Sequence, residues 1–293
     1  CRFCAFGRDE GDKKAYAMNQ EEVLRLAKLA AQDPDLRELH IVSGLHPDWP
    51  FEYYLDVLRM LKRELPQLHR KAFTAVEIHY FSKLSGLSVA EVLKALQEAG
   101  LQSIPGGGAE ILSDRVRQEL CPNKATASEW LEVQRTAHKM GIRSNASMLY
   151  GHIETLEERV DHLLSLRALQ DETGGFQTFI CFPFHPGNTE LEATHQRTSL
   201  WDELKTMAIS RLMLDNFSNI KAYWVMLTLP IAQLALGFGA NDIDGTVSEE
   251  KIMHAAGAKS DTFLTQETII ETIRQIGRIP VERDSMYQII RTL

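Results

Sequence analysis

The sequence predicts an α/β protein with a mainly parallel sheet, and three observations lead to this fold class. Short apolar or β-branched runs alternate with longer segments of helical spacing along the chain. Pairs of a Ser, Thr or Asn with a Glu three positions later mark the starts of several helical segments. The chain has 293 residues, which is enough for a single large barrel domain.

The predicted strands are short, and a segment of helical periodicity follows most of them. Such alternation implies parallel pairing with right-handed crossovers. The runs number one fewer than the eight strands of a closed (β/α)₈ barrel, so that barrel and a doubly wound open sheet both remain possible. The runs are residues 39–43, 71–75, 102–105, 145–150, 178–184, 221–227 and, more weakly, 235–239.

The helix starts carry capping boxes, in which the two side chains bond to each other's backbone N–H groups. The predicted boxes are Asn19/Glu22, Ser88/Glu91, Thr126/Glu129 and Thr155/Glu158. The helix after Thr155 has an apolar face, formed by Leu156, Val160, Leu163 and Leu164. The last helix has another, formed by Ile269, Ile270, Ile273 and Ile276, with Gly277 as its predicted C-cap.

Composition and charge describe an ordinary globular chain, with 44% hydrophobic and 25% charged residues. No apolar run reaches the roughly 18 residues of a membrane span. The net charge of −8 and the dispersed Arg and Lys residues make nucleic acid a poor candidate partner. Four cysteines are too few for a disulfide framework at this length, so the expected location is the cytoplasm.

Cys1 and Cys4 form a C-x-x-C pair at the start of the chain. Such a pair occurs in redox dithiols, in zinc sites and in iron–sulfur sites. A zinc site would need further ligands, and Cys121 and Cys181 are isolated and not spaced as a second pair. The residues alone leave zinc and iron–sulfur open.

The sequence around this pair resembles the radical S-adenosylmethionine (SAM) enzymes. Phe3 stands just before Cys4, and Ala5 and Phe6 follow it. This order is similar to the end of the cluster motif C-x-x-x-C-x-aromatic-C. The resemblance implies that the first cysteine of the motif lies upstream of Cys1. It also implies that the first barrel strand lies upstream, so this chain is expected to lack the N-terminal part of its barrel.

Further motifs extend the resemblance over nearly the whole chain. Residues 43–47 are similar to the glycine-containing turn that lies near the methionine amino group of SAM, although Ser43-Gly44 replaces the usual double glycine. Residues 103–110 and 170–176 resemble signatures of the two radical enzymes of the futalosine route to menaquinone, and residues 241–246 occur also in deazaflavin-forming relatives.

A smaller set of residues distinguishes the branches of this family. Residues 71–78, residues 145–154 and the sequence Phe184-His185-Pro186 look like the aminofutalosine synthase branch. The sister branch, which cyclises dehypoxanthine futalosine, more often has glutamine where His185 stands. The first branch is therefore the interpretation, with the second and a non-catalytic barrel protein holding a structural metal as alternatives.

The resemblance implies a single (β/α)₈ TIM-type barrel domain over residues 1–293, with C-terminal helices added. It also implies a [4Fe–4S] cluster that cleaves SAM, a cosubstrate, to a 5′-deoxyadenosyl radical. That radical adds to the enol ether of 3-[(1-carboxyvinyl)oxy]benzoate and gives 6-amino-6-deoxyfutalosine. The expected partners are this small substrate and a reductant such as flavodoxin or ferredoxin.

Candidate site residues lie at or just beyond predicted strand ends, where barrel enzymes bind their ligands. Helix-start acids and tight turns are the alternative interpretation for the carboxylates and glycines. The predicted metal ligands are Cys1 and Cys4. The predicted cofactor-binding residues are Phe3, Ser43, Gly44, Gly106, Gly107, Glu110, Ser147, Gly151 and Glu154. The predicted catalytic residues are His46, Glu77, His152 and His185.

Overall fold

The computed structural model describes residues 1–8, 11–13, 15–247 and 252–293. Within them, six strands form one parallel sheet in which each strand lies beside the one that precedes it in the chain. This order is the one expected for successive β/α units, and it confirms the α/β class. The strands are β1 Glu38–Ile41, β2 His69–Ala72, β3 Ser103–Ile104, β4 Arg143–Tyr150, β5 Phe176–Pro183 and β6 Ile220–Lys221.

Helices connect the strands and cover one face of the sheet. The predicted capping boxes at Asn19, Ser88, Thr126 and Thr155 are all present. The helices are α1 Gln20–Ala30, α2 Phe51–Glu64, α3 Ala75–Ser85, α4 Val89–Ala99, α5 Asp114–Leu120, α6 Ala127–Lys139, α7 Leu156–Thr173, α8 Leu200–Met213, α9 Trp224–Leu227, α10 Leu229–Ala235, α11 Ile252–Ala255 and α12 Gln266–Gln275. None of those described has the length and apolar composition to cross a membrane.

The apolar core lies between the sheet and its covering helices. Leu39 and Ile41 of β1 pack toward α1 and α2, and Cys181 of β5 contacts Met207 of α8. Because successive side chains of a strand point to opposite faces, Glu38, His40 and Phe182 point to the inner face, away from the helices. The inner face therefore carries polar and charged side chains that the core excludes.

One predicted strand is wrong in part and another is wrong entirely. Residues 221–227 are extended only to Lys221, and Trp224–Leu227 is a short buried helix. Residues 235–239 form the end of α10 and a turn. A short apolar run does not distinguish a buried strand from a buried helix, and this ambiguity explains both errors.

The segment that lies beside β6 comes slightly later in the chain. Asp242 forms an isolated parallel bridge with Lys221. The Asn241 N–H donates to the Ile220 carbonyl at 3.0 Å, and the Ala222 N–H donates to the Asp242 carbonyl at 2.8 Å. The sheet therefore continues past β6 at residues 241–242.

The C-terminal helix ends as predicted, but a hairpin follows that the sequence analysis did not predict. Gly277 has φ +71° and donates its N–H to the Arg274 carbonyl at 2.9 Å. The antiparallel strands β7 Val281–Arg283 and β8 Ile289–Thr292 then form a separate two-stranded sheet. Gln177 at the start of β5 reaches the Ser285 carbonyl in the hairpin turn, at 3.4 Å. The hairpin thus packs against the end of the sheet where the strands begin.

The apolar face noted on α7 does not point to the core as a unit. Leu163 is buried, but Leu156, Val160 and Leu164 are exposed. The buried side of the helix contains His162, whose imidazole accepts a hydrogen bond from the Leu112 N–H at 3.1 Å. A polar residue with an internal partner thus takes a core position that simple periodicity assigns to a leucine.

Candidate active site at the carboxyl ends of the strands

The cysteine pair lies in a tight loop with accessible sulfur atoms. Cys1 is exposed and Cys4 is partly exposed. The Cys4 N–H donates to the Cys1 carbonyl at 3.1 Å, which folds the pair onto one turn. The Gly7 N–H donates to Cys4 Sγ at 3.2 Å. Accessible cysteine sulfurs with backbone N–H donors are typical of iron–sulfur sites, so this loop fits two ligands of such a cluster.

The loop is fixed to two neighbouring segments. The Arg2 N–H donates to the Leu120 carbonyl at the end of α5, at 2.9 Å, and the Arg2 carbonyl accepts from the Glu190 N–H at 3.1 Å. Among the residues described, no three His, Cys, Asp or Glu side chains are grouped in a way that could hold a metal ion. The role of Cys1 and Cys4 as cluster ligands therefore stays a prediction.

A cation links the cysteine loop to Glu110. The Lys124 ammonium lies 5.1 Å from the centroid of the Phe3 ring and 2.7 Å from Glu110 Oε1. Burial alone would raise the Glu110 pKa, but the charge and hydrogen bond of Lys124, together with the Arg117 and His152 charges, hold the pKa below its ordinary value. The structure thus brings Phe3 and Glu110 together, through a lysine that sequence reasoning missed because neither motif contains it.

Glu77 anchors the turn that contains Ser43. Its Oε1 accepts from the Ser43 N–H at 2.8 Å and from the Ser43 hydroxyl at 3.0 Å. Its Oε2 accepts from the Thr74 N–H at 2.7 Å and from the Thr74 hydroxyl at 2.8 Å, which completes a capping box. Burial nevertheless raises the pKa of Glu77. Both oxygens thus have protein donors, and the predicted ligand contact of Glu77 stays a prediction.

The glycine run at residues 106–108 lies where backbones and side chains approach closely. A Cβ at Gly106 would lie 2.8 Å from the Ala146 carbonyl carbon, and one at Gly108 would lie 2.6 Å from a Val76 methyl group. The Ser147 hydroxyl donates to the Gly106 carbonyl at 2.6 Å. Close packing therefore accounts for these glycines, and this result favours the tight-turn interpretation at Gly106 and Gly108.

We expect Gly106→Ala to lower the free energy of unfolding by about 1–3 kcal/mol, because the new methyl group meets strand backbone that cannot move aside. Gly44→Ala is the matched control, since nothing lies within 4 Å of a Cβ at Gly44. Urea unfolding of both variants measures the difference. Equal stability of the two would contradict the packing account.

Gly151, His152 and Glu154 form one turn after β4. Glu154 accepts from the Gly151 N–H at 2.5 Å, the His152 N–H at 2.9 Å and the Arg159 guanidinium at 2.8 Å. Burial alone would raise the Glu154 pKa, but its bond with His152 and the Arg159 charge bring it to about 2. His152 Nε2 lies 2.9 Å from the Leu149 carbonyl oxygen. These residues define the turn geometry, and their contacts with a ligand stay predictions.

His46 and His185 lie in separate segments. The His46 ring stacks on Trp49, with centroids 4.3 Å apart, and its Nδ1 accepts from the Asp48 N–H at 3.2 Å. His185 is buried, and its Nε2 donates to the Met226 carbonyl at 2.9 Å. Burial, helped by the nearby Arg197 charge, lowers the pKa of His185. The structure therefore gives each histidine its own protein partner and does not group them.

Sequence reasoning also missed a layer of ionisable side chains on the inner face of the sheet, which we call the charged layer. Its ion pairs join Lys71 to Glu38 at 2.8 Å, Lys221 to Asp244 at 2.8 Å, and Arg283 of the hairpin to Asp242. The charged layer consists of Glu38, His40, Lys71, Lys221, Asp242, Asp244 and Arg283. The signal was the motif at residues 241–246, where Asp242 and Asp244 alternate as strand residues with one polar face do.

The fold and the cysteine loop define an enzyme class, and comparison with known families agrees with it. Residues 1–166 match the Radical SAM superfamily model. The chain therefore belongs to the radical SAM superfamily, whose enzymes use a [4Fe–4S] cluster and SAM. Residues 173–293 match the CofH/MqnC C-terminal region, which refines the position of the chain within that superfamily.

Individual relatives cover almost all of this chain. It is 49% identical to an aminodeoxyfutalosine synthase of Thermus thermophilus, over 99% of this chain and 79% of that protein. It is 44% identical to a 5-amino-6-(D-ribitylamino)uracil–L-tyrosine 4-hydroxyphenyl transferase of Methanothermobacter thermautotrophicus, over 98% of this chain and 79% of that protein. The crystal structure of methylornithine synthase (PylB) has a similar fold, with a TM-score of 0.69 at 17% identity, over 96% of this chain and 79% of that one. The predicted TIM-type radical SAM barrel class is thereby confirmed.

Proposed function

We propose that this chain acts as an aminodeoxyfutalosine synthase, which joins the adenosyl group of SAM to 3-[(1-carboxyvinyl)oxy]benzoate. The observation that supports this most is the 49% identity with the Thermus thermophilus synthase over 99% of this chain. The motifs at residues 71–78 and 145–154, with His185, favour the same branch of the family. We also propose that residues 1–293 belong to one barrel domain.

In this proposal, Cys1 and Cys4 would hold the cluster, and the Gly7 N–H donates to Cys4 Sγ. When bound, the cluster would supply the electron for SAM cleavage, which a reductant such as flavodoxin or ferredoxin would provide. The Ser43-Gly44 turn, tethered by Glu77, offers backbone groups to the methionine part of SAM. Glu110 and its partner Lys124 present a charge pair beside the cysteine loop.

The rest of the chain positions the substrate and excludes water. Phe182 and Tyr223 form an edge-to-face pair above the charged layer, with ring centroids 5.7 Å apart. Such a wall suits an aryl ring, and a dry chamber prevents quenching of a reactive carbon centre by competing donors. The ligand contacts of Phe3, Gly107, Ser147, His46, His152 and His185 remain part of this proposal.

A second candidate is the 4-hydroxyphenyl transferase activity, because a relative with that name is 44% identical over 98% of this chain. The cyclisation of dehypoxanthine futalosine is a third, since the C-terminal region matches the CofH/MqnC family. All three reactions need the same cysteine loop, so the loop does not distinguish them.

A direct substrate comparison tests the proposal. Reconstituted full-length protein receives SAM and a reductant with one of three substrates: the enol-ether benzoate, dehypoxanthine futalosine, or tyrosine with the ribitylaminouracil. We expect the enol ether to be consumed at least about tenfold faster than the other two, a difference of 1.4 kcal/mol in barrier height. Preferred consumption of either other substrate would overturn the assignment.

A further inference from the structure

The side chains of the charged layer form ion pairs with one another, and among the described residues His40 is the member that has no close partner. Lys71, Lys221 and Arg283 each have a carboxylate partner within the layer. His40 Nδ1 lies 3.9 Å from Glu38 Oε1, which is beyond hydrogen-bond range. The ring nitrogens of His40 can thus bind a ligand, whereas the basic groups around it are already engaged in ion pairs.

His40 is also the member of the layer that faces open space. Within the described part of the chain, in which β1 is an edge strand, the His40 side chain is 52% exposed, whereas the side chains of Lys71 and Lys221 are 5% and 7% exposed. Leu39 and Ile41 take up the helix-facing side of β1, so this exposure is toward the barrel interior. A ligand in the interior can therefore reach the imidazole directly.

An apolar belt lies between His40 and the carboxyl ends of the strands. Val42 follows His40 by two positions, on the same face of the chain. On the far side, Ile180 of β5 pairs with Lys221, which places Phe182 and Tyr223 one step closer to the strand ends. A flat ring bound against this belt would direct one substituent down toward His40.

A buried polar atom on β4 points to the same kind of ligand. Asn145 is 3% exposed, and its Oδ1 has no hydrogen-bond partner among the described residues. Its neighbour Ser144 bonds to His138 of α6, so Asn145 points to the inner face. An unpaired buried polar group is unfavourable, and the amide can turn to present its NH₂ group to an acceptor.

We propose that His40, with the Asn145 amide, binds the carboxylate of an aromatic carboxylic acid substrate whose ring packs against Val42, Phe182 and Tyr223. This inference rests on the proposed function, in which the substrate is a substituted benzoate. It places the benzoate carboxylate in the part of the interior farther from the carboxyl ends of the strands, and it places the enol ether on the side of the cysteine loop.

Carboxylate binding should change the protonation of His40. In the free protein, the recessed position of His40 among protein atoms of the barrel interior weakens its hydration, and with the Lys71 and Lys221 charges this lowers the pKa of His40, against the opposing charges of Glu38 and Asp244. A bound carboxylate adds negative charge beside the imidazole and raises that pKa. Because the bound state has the higher pKa, the protein takes up protons on binding at a pH between the two values.

Calorimetry with an unreactive ligand tests the inference without turnover. Full-length protein is titrated at pH 7 with 3-ethoxybenzoate or with 3-ethoxybenzamide, in two buffers of different ionisation enthalpy. We expect the benzoate to bind at least about tenfold more tightly than the amide, with net proton uptake. His40→Gln should remove both the uptake and the preference, while His79→Gln on the outer helix α3 should keep both.

Several outcomes separate this inference from the proposed function. Equal affinity of the wild-type protein for benzoate and benzamide overturns the inference, and this arm does not depend on any variant folding. Unchanged proton uptake in a folded His40→Gln protein also overturns it. If the benzoate binds with proton uptake but no adenosylated product forms from the enol ether, the subsite stands and the proposed reaction is wrong.

Discussion

We expect the Cys4→Ser variant of the full-length protein to keep its fold and to lose both its iron and its SAM cleavage. Cys4 lies in a partly exposed loop, so the substitution leaves no cavity in the core. A serine hydroxyl does not provide the thiolate that an iron–sulfur cluster needs. Removing a residue that only hydrogen-bonds to a metal ligand lowers activity by up to about 100-fold. Because Cys4 is a predicted ligand itself, its loss should lower SAM cleavage by more than this.

Cys181→Ala is the matched control. Cys181 is buried on β5 against Met207, and burial raises the pKa of its thiol to about 12, so it remains protonated. This variant should lose some stability but bind iron at the wild-type level. Iron analysis, visible spectra and 5′-deoxyadenosine formation measure the difference. A Cys4→Ser protein with full iron content and normal SAM cleavage would contradict the assignment of the loop.

The second large effect concerns stability. Asp242→Asn should lower the free energy of unfolding by about 3–5 kcal/mol, because it leaves Arg283 without its buried carboxylate partner, while Lys221 keeps Asp244. Glu52→Gln is the control, since its pair with Arg59 is exposed to solvent and should contribute little to stability. Urea unfolding of both variants and of the Asp242→Asn, Arg283→Gln double variant measures the coupling.

The same pair predicts a dependence of stability on pH. Burial alone would raise the Asp242 pKa, but the Arg283 and Lys221 charges bring it to about 2, below its ordinary 3.8. A carboxylate with a lowered pKa stabilises the folded state above its ordinary pKa, and this contribution disappears as the pH falls toward 2. The difference in free energy of unfolding between the wild-type protein and Asp242→Asn should therefore shrink as the pH falls from about 4 to about 2. A stability difference that does not change over this range would argue against the ion pair.

Local signals made much of the fold predictable. A capping box depends on two residues three positions apart, so Thr126 and Glu129 could be assigned without any knowledge of the tertiary structure. The same pattern is present at Thr74 and Glu77, although the strand end before it also suits a ligand contact, which is the role predicted for Glu77 from the sequence. Residues 224–227 could not be assigned because a buried apolar run fits a helix as well as a strand.

The site was predictable where a motif is contiguous and hidden where distant segments meet. Cys1, Cys4 and Ser43 lie in recognisable motifs, and the structure places them in loops. Lys124 and His40 lie outside those motifs, and their partners or surroundings come from other elements of the fold. Tertiary contacts of this kind leave no periodic trace in the sequence.

The most direct test of the account is the fate of the adenosyl group. Full-length protein is incubated with the enol-ether benzoate and with SAM labelled in its adenosyl carbons, and the products are separated and identified by mass. The account predicts that the label appears in a product that contains both the adenosyl and the aryl groups, with release of carbon dioxide or bicarbonate. Recovery of all the label as free 5′-deoxyadenosine, with the enol ether unchanged, would contradict it.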